Sequence, residues 1–191
     1  MDLVALHEGT VREFTARVAA VPDDRWDDPT PCTDWNVRQL VNHVVGEDRW
    51  TVPLLAGRTI ADVGGSLDGD LLGDDQLAAT RAAADDAVAS VAAQVPNNGT
   101  VQLSYGEESA TEYVHQLAAD HLLHAWDLAV ATGGDTHLDA ELVDAVAAWF
   151  ADREELYRAG GVIGDRVEVS GDEPQDALLG AFGRDPAWRV S

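Results

Sequence analysis

The sequence predicts an all-α fold: a four-helix bundle with crossover connections, an appended helix and a short C-terminal tail. Three observations lead there. Four long segments bring apolar residues back at every third or fourth position. Proline or glycine closes each of those segments. The connections over 57–73 and 96–109 are long enough to cross the bundle, so a simple up-down-up-down order is not imposed.

The elements follow in order. The first helix, about 2–20, sets Val4, Val11, Phe14 and Val18 on one stripe, and Pro22 follows it. The second starts after PTPCTDW, where Thr33 or Asp34 offers an N-cap, and runs to about Ala56 before Gly57. Its stripe is Val37, Leu40, Val41, Val44 and Val45. Residues 57–73, rich in Gly and Asp, read as a loop without a nucleotide fingerprint. The third helix, about 74–95, buries Leu77, Ala84, Val88, Val91 and Val95 and ends at Pro96. Residues 100–105 are β-branched and glycine-bounded, which predicts an extended connection or strand. The fourth helix, about 109–132, stops at Gly133-Gly134, and a fifth, about 139–157, carries Leu142, Val146, Trp149, Phe150 and Leu156. In the tail over 158–191, VEVS at 167–170 suggests a strand and 174–182 a short helix. The whole of 1–191 reads as one domain with that tail packed on it.

Composition narrows the partners. The chain has 191 residues and a net charge of −23, from 35 acidic and 12 basic side chains. Such a field repels nucleic acid and anionic membranes. Cys32 is the single cysteine, so no intrachain disulfide and no thiolate-rich zinc site can form. The N-terminus lacks a basic region followed by an apolar run, and no stretch approaches a membrane span of about 18 apolar residues. The expectation is a soluble, cytoplasmic protein. Its acidic exterior favours neither a monomer nor a homodimer.

The most informative local pattern is Asp120-x-x-x-His124, in AADHLLHAWDLA. A four-residue step puts a carboxylate and an imidazole on neighbouring turns of one helix, facing the same way. At about 100° per residue, His124 falls within the stripe set by Tyr113, Val114, Leu117, Leu128 and Ala131, with His121 inside it and Asp120 at its edge. A buried carboxylate must be paired or coordinated. His43, in DWNVRQLVNHVVGE, offers a third donor from the second helix. Three protein ligands leave one position open for chemistry. The bland alternative is a hydrogen-bonded polar network, and a lone histidine at His43 would ordinarily be structural. Glu47 is a candidate to orient His43 or to ligate, though it reads first as a surface carboxylate; Asp127 either holds the second ring nitrogen of His124 or pairs elsewhere. His7 and His121 are secondary ligand candidates, His7 reading more simply as a core histidine. His115 and His137 look peripheral, and Cys32, ahead of a helix, reads as incidental.

The segments PCTDWNVRQLVNHVVGE, DHLLHAWDLAVATG and FGRDPAW together resemble the DinB-like metal-binding bundles, of the mycothiol-dependent maleylpyruvate isomerase N-terminal domain type. The resemblance spans nearly the whole chain. It implies a four-helix bundle holding a divalent metal, usually zinc, at His43, Asp120 and His124; nickel, iron and manganese suit the same donors. Asp120 stands where the isomerase pattern has Glu and many relatives have His, which keeps His121 as a substitute. The isomerases also carry a further C-terminal domain, whereas only a short tail is expected here, so maleylpyruvate isomerisation is not carried over.

The resemblance implies a thiol-dependent transferase or isomerase. Metal coordination would hold a low-molecular-weight thiol, mycothiol or a relative, as thiolate for attack on an electrophilic substrate. A metal-dependent hydrolase would use the same site with water. The rival class is a non-catalytic metal-binding or stress-related bundle, which a fourth ligand from His7, His121 or Glu47 would favour.

Overall fold

Side-chain caps set the starts of the bundle helices in the computed structural model, which describes residues 1–97 and 99–190; Ser191, the last residue of the expected tail, lies outside them. Asp2 accepts from Ala5 N–H and opens α1 (Leu3–Ala19). Asn36 opens α2 (Val37–Leu55) with a reciprocal capping box to Gln39, so the cap is Asn36 rather than Thr33 or Asp34. Such caps stabilise by about 1 kcal/mol each. The 57–73 segment, expected to be a loop, contains a one-turn helix, α3 (Ile60–Val63), and a 3-10 turn over Gly64–Leu67. Asp75 caps α4 (Gln76–Gln94). A two-stranded antiparallel hairpin follows, β1 (Thr100–Leu103) with β2 (Gly106–Ser109), so the expected extended run is the first strand of a pair. Ser109 caps α5 (Ala110–Thr132), which Gly133 ends in the left-handed conformation (φ 72°).

Four helices form the bundle. α1 packs on α5 and α4, and α2 packs on α4 and α5, giving the ring order α1–α4–α2–α5. Helices consecutive in sequence, α1 with α2 and α4 with α5, therefore lie across diagonals, and the chain crosses the bundle between them. α5 touches both α1 and α2, so its inner face meets polar residues from each. Nearly all of its last two turns are buried, against the amphipathic pattern of a surface helix. The covering layer supplies the reason: α6 (Ala140–Phe150) packs on α5 and α1, and α8 (Pro174–Ala181) packs on α6. Phe150 and Phe182 stack at 3.9 Å across that layer.

Two expectations are corrected in the tail. The fifth helix does not run unbroken over 139–157; it stops at Phe150, and α7 (Glu154–Ala159) restarts after a turn. Leu156 is 72% exposed and joins no stripe. VEVS forms no strand. Its Val167 N–H donates to the Gly180 carbonyl of α8, and a Cβ at Gly180 would come within 2.5 Å of the Val167 oxygen. The segment is extended because it lies against a helix at a glycine, an approach no period-two pattern encodes.

The 57–73 connection is tied to one face of α2. Arg38 reaches Asp70 and the Gly73 carbonyl, Asn42 exchanges hydrogen bonds with Gly69 and Leu71, and Arg49 donates to the Leu71 carbonyl. Leu72, 3% exposed, plugs into the core behind them. Among the described residues no helix is long and apolar enough to cross a membrane.

Candidate metal centre

α2 and α5 bring His43, Asp120 and His124 together. One donor atom from each lies within 4.8 Å of the other two. His43 Nε2 is 3.4 Å from Asp120 Oδ2, and His124 Nε2 is 3.2 Å from Asp120 Oδ1. The two imidazoles meet edge to face at 5.3 Å. His43 and Asp120 are about one-third exposed (28% and 30% of the side chain) while His124 is buried at 5%, so the cluster opens to solvent on one side only. Trp35 stacks on His43 at 4.5 Å and forms one wall.

The donor set fits a cation. His124 Nδ1 lies 2.9 Å from Asp127 Oδ2, which fixes the hydrogen on Nδ1 and turns Nε2 toward Asp120. A bare ring nitrogen facing a carboxylate oxygen at that distance is repulsive, so a positive species belongs there, a proton on Nε2 or a metal ion. Asp120 Oδ2 is buried without a hydrogen-bond partner. Burial opposes charge on both groups; the Asp120 carboxylate nevertheless holds His124 well above its ordinary range, and His124 with His43 holds Asp120 well below its own.

Behind His124 stands a chain of charge. Asp127 is fully buried, and despite that burial the Arg184 guanidinium and then His124 keep its carboxyl low. Arg184 Nη2 reaches Asp127 Oδ2 at 3.0 Å, and Cys32 Sγ donates to the same oxygen at 3.4 Å. Cys32 is therefore not incidental: the loop before α2 seats it against the carboxylate that orients His124. Arg184 was not foreseen individually; its only signal was its place in FGRDPAW. Asp127 Oδ2 lies 2.9 Å from the second ring nitrogen of His124. Glu47 stands beside Asp120 with no side-chain hydrogen bond to either histidine among the described residues, and burial, then the Asp120 charge, raises its carboxyl.

His7 and His121 do not join this cluster. Both are wholly buried and meet Asp48, a residue that sequence reasoning passed over, since a carboxylate next to Glu47 reads as surface. His121 therefore lies with His7 and Asp48 rather than with His43 and His124. His137 is 92% exposed and pairs with Asp135, and His115 stacks on Trp149, both away from the centre.

The chain resembles known proteins along most of its length. Two uncharacterized proteins of Mycobacterium tuberculosis, one from strain CDC 1551 / Oshkosh and one from strain ATCC 25618 / H37Rv, are each 36% identical over 184 residues, covering 95% of this chain and 97% of the relative. No solved structure matches significantly. The family profile of the mycothiol maleylpyruvate isomerase N-terminal domain matches residues 8–129, which hold α2, most of α5 and all three converging donors. The chain belongs to the mycothiol maleylpyruvate isomerase N-terminal domain family.

Proposed function

We propose that this protein holds a divalent cation, most simply zinc, at His43, Asp120 and His124, and acts in the cytoplasm as a thiol-dependent transferase or isomerase. The observation that carries this reading is the one-sided convergence of three donors around the orphaned Asp120 Oδ2. When bound, the cation supplies the positive charge that keeps a low-molecular-weight thiol of the mycothiol type ionised at neutral pH. The chain's own residues do the rest. Asp127, neutralised by Arg184, fixes the His124 tautomer and its ring orientation. Trp35 holds the His43 ring by stacking and walls the open side. Glu47, whose carboxyl is raised, is suited to take up and return a proton beside the site. His7 and His121, either of which could add a fourth ligand, lie in a separate cluster with Asp48, and this supports the open, reactive form over a purely structural one.

The test is elemental analysis of the full chain purified without added metal, with His124→Ala in parallel. The variant is expected to hold one equivalent fewer than the wild type; equal contents overturn the site. Incubation with mycothiol and an electrophilic aryl halide then tests catalysis. Thiol consumption at the same rate in wild type and variant would reduce the protein to a metal-binding bundle.

A further inference from the structure

His7 of α1, Asp48 of α2 and His121 of α5 meet in the bundle interior, with 0%, 1% and 0% of their surfaces exposed. One donor atom from each lies within 4.8 Å of the other two. His121 Nδ1 is 2.7 Å from the Leu117 carbonyl, so that nitrogen carries the hydrogen and Nε2 faces Asp48 Oδ1 at 3.1 Å. That separation is close to the edge of about 3.4 Å that a tetrahedral zinc site with bonds near 2.1 Å imposes on neighbouring ligands.

His7 is the independent sign. Neither of its ring nitrogens has a hydrogen-bond partner, though the residue is wholly buried. An unpaired buried polar group is costly, and natural cores rarely retain one without a use. Burial, then the charge on His121, pushes its imidazole down to about 3, which leaves a neutral ring with a free lone pair, the form that binds metal. The His7 and His121 rings meet edge to face at 5.7 Å, and Phe14 meets His121 edge to face at 6.0 Å.

We infer that His7, Asp48 and His121 form a second divalent-cation site, enclosed and structural, which ties α1, α2 and α5 together. One nitrogen from each imidazole and a carboxylate oxygen of Asp48 are donors of the nitrogen and oxygen type that zinc accepts. With no exposed side, the site cannot take a substrate. It goes beyond the proposed function and shares no ligand with it.

The test uses the full chain refolded with cadmium-113 as the sole metal. Two cadmium resonances are expected; His7→Leu should remove one and His43→Ala the other. A single resonance that survives His7→Leu and vanishes in His43→Ala overturns the enclosed site and leaves the proposed function standing. A single resonance with the opposite behaviour supports the enclosed site and removes the open one. No resonance overturns both. If His7→Leu does not fold, side-chain nitrogen-15 spectra of the wild type decide. Coordinated ring nitrogens of His7 and His121 shift on zinc loading, whereas His7 signals that stay unchanged, as a bridging water would leave them, overturn the inference.

Discussion

Two His–Asp–His clusters share α2 and α5 yet differ in what stands behind the α5 histidine. In the enclosed cluster His121 gives its Nδ1 hydrogen to the Leu117 carbonyl; in the open one His124 gives it to the Asp127 carboxylate. A carbonyl only orients a ring. A carboxylate also enriches it and answers any charge it acquires. The cluster that faces solvent is the one with the ionised support, and Arg184 neutralises that support in turn. On the two proposals, a reactive and a structural role stand a step of three residues apart along one helix.

The strongest way to break this contrast is Asp127→Ala. It leaves Arg184 partly buried without its counter-charge, and a loss of about 3–5 kcal/mol is expected in chemical denaturation. The milder Asp127→Asn keeps the volume and removes the charge. Zinc affinity of the open cluster should fall by about 10–100-fold in calorimetric titration, while the enclosed cluster should not respond.

Acidity sharpens the comparison further. In metal-free protein His124 is held well above 6.5, so its stabilising charge is fully present below that value and is lost as pH rises through the raised one. Asp120, held well below 3.8, contributes above that value and loses its share as pH falls through the depressed one. The melting temperature of metal-free protein should therefore decline as pH rises from neutral into the alkaline range. His124→Gln should flatten that decline to the share left by His121, whose pKa is also raised. The smallest effect is expected from Trp35→Ala: the lost stacking on His43 is worth about 0.5–1.5 kcal/mol beyond buried area. Zinc affinity at the open cluster should weaken with little change elsewhere.

The four bundle helices were legible because each repeats its apolar positions and ends at a breaker, and the open cluster because Asp120 and His124 share a helix face. What was not legible depended on partners distant in the chain. Asp48 looks like an exposed acid until α5 supplies His121, and His7 looks like an ordinary core residue until its ring nitrogens are seen without partners. Cys32 and Arg184 meet Asp127 from a loop and from the tail, where no periodicity operates. The break between α6 and α7 was missed because Leu156 continues an apolar rhythm in a turn that never reaches the core.

The matched family region stops at residue 129, while the guanidinium that balances Asp127 comes from Arg184. A graft of the matched segment into another scaffold would carry the orienting carboxylate without its balancing cation. Such a transplant must import a new positive group, or its interior would be left anionic at the very point where His124 needs steady support.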